Sequence, residues 1–179
     1  MGNSPGFRIV TDSDGSIYEG VLQNGMKHGK GKVTTKNYIF EGTWECDYPT
    51  EGITYFPNGK KIHAQYKDRK IDRTETKMSV RIKKEDFKLD IPFLTACLVN
   101  PSKVPDEVPY YELKFIGSTT EDDTPIKGDL YIPGVFQFNG EWRDGLVNCR
   151  SILYDTREKT AKEVHFIDGV EMPINKQND

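Results

Sequence analysis

One stretch of the chain decides its fold: residues 18–32, which read YEGVLQNGMKHGKGK. The side chains at its start, Tyr18–Leu22, alternate between the two faces of a short strand. Asn24-Gly25 then supplies a turn, because asparagine and glycine accept the positive φ angles that tight hairpin turns need. Residues 31–35 can return as the second strand. The stretch therefore predicts a β-hairpin, and a lone hairpin is only marginally stable in water.

The pattern of this hairpin recurs with a fixed period. Gly15, Asn37 and Gly59 lie 22 residues apart, and we expect each of them at a left-handed turn position. The same order of bulky, small and bulky side chains follows each one, in the sets Tyr18-Gly20-Leu22, Phe40-Gly42-Trp44 and Ile62-Ala64-Tyr66. A period of this length is typical of an array of stacked supersecondary units.

The small residue between two bulky ones has a steric reason. A side chain at position 20 or 42 would collide with the aromatic rings on either side. Stacked hairpins therefore form an aromatic ladder over a row of glycines, in which each cross-strand pair contributes roughly 0.2–1 kcal/mol.

The first hairpin resembles the MORN repeat, whose pattern runs Tyr-x-Gly, Asn-Gly and His-Gly-x-Gly. These elements stand at Tyr18–Gly20, Asn24-Gly25 and His28–Gly31. Phe40–Trp44 with Pro57–Gly59 resembles a second copy.

Later copies depart from that pattern. In the second copy Asp47, Glu51 and Ile53 occupy columns where glycine is expected, and Gly52 is out of step by one. The third copy, Ile62–Tyr66, keeps only the alternation, and a fourth start stands at Phe138–Gly145. The resemblance covers residues 14–70 and 134–154. The residues that we expect to maintain the repeat geometry are Gly15, Gly20, Gly25, Gly29, Gly31, Asn37, Gly42, Gly59, Gly140 and Gly145.

The whole chain is predicted to be mainly antiparallel β. Met78–Ile82 alternates like an exposed strand, whereas Ile91–Val99 fits either a buried strand or a short helix. The predicted organisation is an amino-terminal segment (1–13), MORN-like repeats (14–70), a divergent β region or insertion (71–133), a further hairpin with capping strands (134–170) and a polar tail (171–179).

Composition and short motifs indicate the cellular compartment and whether the chain spans a membrane. The three cysteines, Cys46, Cys97 and Cys149, are widely spaced and predict reduced thiols in a cytoplasmic protein. No apolar run reaches the roughly 18–20 residues that span a bilayer. The amino end matches a myristoylation motif only weakly, because Gly6 replaces the usual Ser or Thr and Pro5 precedes it.

The sequence contains no complete catalytic or cofactor-binding motif. Gly20 and Gly25 have phosphate-loop spacing, but Met26 stands where that loop needs a lysine. His28, His63 and His165 show no metal-ligand spacing with one another or with cysteine. We therefore predict no catalytic residue, no cofactor, no metal and no nucleic-acid partner.

The resemblance implies a non-catalytic scaffold or adaptor in a cytoskeletal, ciliary or membrane-associated setting. Its partner, a helix or an extended peptide, would lie along exposed aromatic side chains, expected among Tyr18, Phe40, Trp44, Tyr66 and Trp142. The alternative is binding of acidic phospholipids through a basic hairpin, with Lys27, Lys30, Lys32, Lys36, Lys60 and Lys61 as candidates. A more remote alternative is the regulatory part of an enzyme, since MORN-like arrays precede catalytic domains in some SET-domain methyltransferases and plant lipid kinases.

Overall fold

The computed structural model describes residues 6–174, and these fall into two compact units that divide between Asp72 and Arg73. Both units are built mainly from antiparallel strands joined as hairpins, which confirms the predicted fold class. Residues 1–5, which hold most of the motif considered for myristoylation, and the last five residues of the polar tail lie outside the described range.

The first unit is a run of hairpins in chain order. Each strand from β1 to β6 pairs antiparallel with the next, and the short β7 pairs with β6. The strands are β1 (Gly6–Thr11), β2 (Ile17–Gln23), β3 (Met26–Thr34), β4 (Ile39–Glu45), β5 (Tyr48–Tyr55), β6 (Lys61–Lys67) and β7 (Lys70–Ile71). The hairpin array predicted for residues 14–70 is therefore present, and β1 extends it into the segment predicted to precede it.

The strand register places the small residues of successive strands in one row. This row is Gly20, Gly31, Gly42, Gly52 and Ala64, each paired with the next. Gly52 is thus in step, contrary to our expectation from the sequence. The reason is a difference in the bulges: Gly29 and Lys30 fall outside the β2–β3 register, whereas only Thr50 falls outside the β4–β5 register.

Two-residue turns join the strands at one end of this unit. Both residues of each turn have positive φ, with values of 53° and 81° at Asn24-Gly25, 49° and 69° at Cys46-Asp47, and 50° and 66° at Asp68-Arg69. Asp47 therefore keeps the backbone conformation of the glycine that it replaces.

At the other end of the unit, one turn differs from the prediction. Gly15 and Gly59 have the expected positive φ, at 83° and 88°, but Asn37 does not. The side chain of Thr35 makes the turn there instead, because its hydroxyl accepts hydrogen bonds from the N–H groups of Asn37 and Tyr38.

The second unit adds a helix to the same kind of sheet. Its strands pair in the order β8-β9-β10-β11-β13-β14-β15, with β12 beside β11, so that strands on both sides of position 133 share one sheet. The elements are β8 (Thr76–Lys83), a 3₁₀ turn (Lys84–Asp86), α1 (Ile91–Val99), β9 (Tyr110–Thr119), β10 (Pro125–Ile132), β11 (Phe136–Arg143), β12 (Leu146–Val147), β13 (Cys149–Asp155), β14 (Thr160–Ile167) and β15 (Val170–Glu171).

The apolar run at Ile91–Val99, for which strand and helix were both open, is the helix α1. The Asp90 carboxylate caps it by accepting a hydrogen bond of 3.0 Å from the Phe93 N–H, and Pro92 suits its first turn. Ile91, Leu94 and Leu98 are buried. The helix therefore belongs to the core of this unit.

The strand β8 also lies against this core. Met78, Val80 and Ile82 alternate along it as predicted, but all three are buried. The expectation of an exposed strand was therefore wrong, because alternation defines two faces of a strand without showing which of them meets solvent.

One hydrogen bond ties α1 to the sheet. The Trp142 Nε1–H donates to the Thr95 hydroxyl over 3.0 Å, and both residues are buried. We expect Thr95→Val to lower the free energy of unfolding by about 2 kcal/mol, because the indole N–H would stay buried without an acceptor. Thr95→Ser keeps the hydroxyl and is the matched control. Urea unfolding curves of both variants measure the effect, and equal midpoints would contradict it.

Candidate interaction surface

The predicted aromatic ladder of the first unit is its core. Tyr18, Phe40 and Trp44 are buried, and Tyr66 packs against them while remaining partly accessible. Ring centroids lie 5.8 Å apart for Tyr18 and Trp44, 5.3 Å for Phe40 and Trp44, and 5.9 Å for Phe40 and Tyr66, all edge to face. This geometry is favourable for aromatic pairs, so the rings cover one another.

The rings also lie directly over the glycine row. A Cβ atom added at Gly31 would come within 2.5 Å of the Tyr18 ring, and one added at Gly52 would overlap the ring of Phe40. The Tyr18 hydroxyl donates a hydrogen bond of 2.9 Å to the Val21 carbonyl oxygen, which fixes that ring in place. The glycines are thus required for close approach of a ring to the backbone.

The second unit repeats this arrangement. Gly117, Gly128 and Gly140 form one row, and added Cβ atoms at Gly117 and Gly140 would overlap the rings of Phe115 and Phe138. Trp142 packs edge to face on both rings, with centroid distances of 5.7 and 6.0 Å. Residues 71–133 therefore hold a further copy of the bulky-x-Gly geometry, at Phe115-Ile116-Gly117. Gly145 lies in a two-residue turn at a φ of 77°.

The burial of these aromatic rings contradicts the prediction that they form an exposed partner-binding face. Tyr18, Phe40, Trp44 and Trp142 are at most 8% exposed, so the expectation that they would be accessible was wrong. Among the five aromatic residues, Tyr66 alone keeps partial exposure. Partner binding through this face stays a prediction for Tyr66.

The lysines proposed for lipid binding have separate environments. Lys27 forms an ion pair of 2.7 Å with Asp12 and lies 5.4 and 5.5 Å from the ring centroids of Tyr18 and Trp44. Lys60 is buried, and Lys61 lies over the Tyr55 ring.

Of the remaining three lysines, Lys32 lies in a row of side chains whose charges alternate in sign. Lys32 lies in register between Glu19 and Glu41, and its ammonium is 3.7 Å from the Glu19 carboxylate. Lys30 and Lys36 are exposed. The six residues therefore do not form one surface of a single sign, and lipid binding stays a prediction.

A different surface emerges on the outer face of the second unit, opposite its core. We call it the tyrosine patch. It comprises Tyr131, Gln137, Asn139, Ile152, Tyr154 and Ala161, none of which carries a charge. In the register, Tyr131, Gln137, Tyr154 and Ala161 follow one another across β10, β11, β13 and β14.

The patch exposes large side chains. Ile152 is 60% exposed and Tyr154 is 40% exposed. Charged residues flank it in the register: Lys114 is paired with Tyr131, Asp129 with Asn139 and Glu163 with Ile152. An uncharged centre containing tyrosine and a charged rim is the usual anatomy of a protein–protein interface.

One feature of the sequence indicates this patch. Ile152-Leu153-Tyr154 places apolar side chains on both faces of β13. A strand with only one face in the core would carry polar residues on the other.

The second unit also contains a groove of about 410 Å³ beside α1, lined in part by Phe93, Cys97, Lys88 and Lys103. Burial raises the pKa of the Cys97 thiol, and the Asp86 carboxylate adds to the shift. Burial likewise raises the pKa of Cys149. Both thiols therefore stay protonated at neutral pH, which makes them weak nucleophiles.

Two further findings concern residues 6–174 as a whole. No cluster of three or more His, Cys, Asp or Glu side chains within that range is placed to hold a metal ion. No helix within it has the length and apolar character needed to cross a membrane.

The fold and the packing of rings on glycines define an antiparallel β-hairpin repeat protein. No protein-family model matches this chain, and no curated protein resembles it at a significant level.

Proposed function

We propose that this protein is a non-catalytic scaffold or adaptor that binds another protein through the tyrosine patch. The observation that carries this proposal is the exposure of Tyr154 between uncharged Gln137 and Ala161, with exposed Ile152 beside it at the edge of the patch. The opposite face of the same strands is occupied by the core, so the outer face is the one available to a partner.

The chemistry of the patch indicates the kind of partner. Tyrosine contributes large contact area for the loss of few rotatable bonds, and it dominates the binding energy of many interfaces. Gln137 and Asn139 add hydrogen-bonding groups beside the rings. The partner would present apolar side chains to Ile152 and polar groups to the tyrosine hydroxyls and the amides.

We also propose that the chain is a divergent MORN-repeat protein. Support comes from the recurrence of a ring over a glycine at Tyr18-x-Gly20, Phe40-x-Gly42, Phe115-x-Gly117 and Phe138-x-Gly140. The cytoplasmic location and the cytoskeletal, ciliary or membrane-associated setting rest on this resemblance and stay predictions. Phospholipid binding and a regulatory role in an enzyme have no observation in their favour.

Site-specific photo-crosslinking tests the proposed surface. A photoreactive phenylalanine derivative placed at position 154 in cells is expected to form a discrete adduct with one or a few proteins. Position 48 is the matched control, since Tyr48 is 41% exposed and Tyr154 is 40% exposed. Identical adducts at both positions, or none at position 154, would contradict the proposal.

A further inference from the structure

The first strand of residues 6–174 has one edge that pairs with no other strand of that range. β1 is the terminal strand in the order of its sheet and pairs with β2 alone among the described residues. Its side chains Phe7 and Ile9 are 63% and 65% exposed, which makes them the most exposed large apolar side chains of residues 6–174. An exposed apolar edge strand is a template for pairing with another strand.

The hydrogen-bond pattern shows which backbone groups this edge offers. The Asp12 N–H donates to the Ser16 carbonyl oxygen over 2.8 Å, so residues 12 and 16 stand at a hydrogen-bonded position of the ladder. Such pairs alternate along an antiparallel ladder, which places the backbone groups of Val10 and Arg8 toward β2. The N–H and C=O groups of Phe7, Ile9 and Thr11 therefore point away from the sheet.

These outward groups form a symmetric set. Ile9 lies midway between Phe7 and Thr11, so a second β1 strand running antiparallel and centred on Ile9 would place Ile9 opposite Ile9. Phe7 would lie opposite Thr11 of the second copy, and Thr11 would lie opposite Phe7 of the second copy. In this register all outward N–H and C=O groups of both strands are paired.

We propose that two copies of this chain associate through β1, by antiparallel pairing centred on Ile9. The interface is isologous, as expected for a twofold dimer. Its outer face brings the two Ile9 side chains together and covers each Phe7 with Thr11 of the other copy. This proposal does not rest on the tyrosine patch.

The charge distribution agrees with this occupant. Phe7, Ile9 and Thr11 carry no charge, so no like charges would meet directly across the new pair. Arg8 donates to the Phe7 carbonyl oxygen over 2.8 Å, but a carbonyl oxygen has two lone pairs and can accept a second hydrogen bond. Within the second unit, β14 shows the usual protection of an edge, because the short β15 covers part of it and Lys162 pairs with Glu171 there.

Sedimentation equilibrium over a wide range of concentrations tests the association. The wild-type chain is expected to dimerise reversibly, and Ile9→Pro is expected to weaken the dimer roughly tenfold or more, because it removes an outward N–H without breaking a bond to β2. Ile9→Thr keeps the N–H and the β-branched shape, so it should weaken the dimer less. A wild-type chain that stays monomeric, or an Ile9→Pro dimer of wild-type strength, would overturn the proposal.

A short bismaleimide crosslinker tests the register. Cys46→Asn removes the exposed native thiol while keeping a residue that tolerates positive φ, and this background alone should give no crosslinked dimer. In it, Ile9→Cys should crosslink to itself, whereas Phe7→Cys should crosslink only when mixed with Thr11→Cys. Self-crosslinking of Phe7→Cys as efficient as that of Ile9→Cys would contradict the register.

Discussion

Replacing Gly31 with alanine is expected to lower the free energy of unfolding by about 3 kcal/mol, since it forces a methyl group into a packed core. The three atoms nearest to an added Cβ all belong to Tyr18, the closest at 2.5 Å. Tyr18 cannot move aside easily, because its ring is fully buried and its hydroxyl is bonded to the Val21 carbonyl oxygen. The strand must therefore shift or the hydrogen bond must break.

The third hairpin of the same unit suggests how this cost can be relieved. There Ala64 occupies the row of small residues, and the side chain two positions before it is Ile62 instead of an aromatic ring. In a Tyr18→Ile background, Gly31→Ala is therefore expected to cost only about 1 kcal/mol or less, which a double-mutant cycle measures by urea unfolding. Gly15→Asn is the control, because a Cβ at Gly15 meets nothing within 4 Å. The explanation fails if the cost of Gly31→Ala is the same in both backgrounds.

The hairpin array was predictable because its signals are local. The Asn24-Gly25 turn and the alternation each report on a few neighbouring residues, and the 22-residue period repeats these local patterns along the chain. The row of glycines beneath the aromatic rings was also predictable, because only a residue without a side chain fits there. The offset of Gly52 was not predictable, because the number of residues left out at each bulge is set by pairing across strands.

The exposure of the aromatic face was predicted wrongly for a physical reason. A sheet has two faces, and periodicity groups residues on a face without showing which face is covered. Here Trp44 lies between Tyr18 and Phe40 and covers both rings, so the face that we expected to bind a partner is the core.

Two other features depended on contacts between distant positions. Lys27 is neighboured by Lys30 in sequence, but its charge is paired with Asp12 on another segment. The copy at Phe115-Ile116-Gly117 was not predicted because the turn that follows it, Thr120–Thr124, has no Asn-Gly pair. Positive φ is supplied there by Asp123.

Substituting Ile152 by aspartate together with Tyr154 by alanine is expected to reduce partner capture roughly a hundredfold. The change removes two anchors of the tyrosine patch and places a second carboxylate opposite Glu163, where a bound partner would have to desolvate it. Both side chains point away from the core, so the variant should stay folded, with a loss of about 1 kcal/mol of unfolding free energy from the two carboxylates that face each other at positions 152 and 163.

Quantitative affinity purification from cells that contain the protein's partners tests the central claim most directly, with circular dichroism verifying the fold of each variant. Ile126→Asp is the matched control, since Ile126 is 42% exposed in the same unit but outside the patch. We predict that the wild-type chain and Ile126→Asp capture the same specific proteins, and that Ile152→Asp/Tyr154→Ala loses them. Undiminished capture by the folded double variant would contradict the assignment of the tyrosine patch as the binding surface.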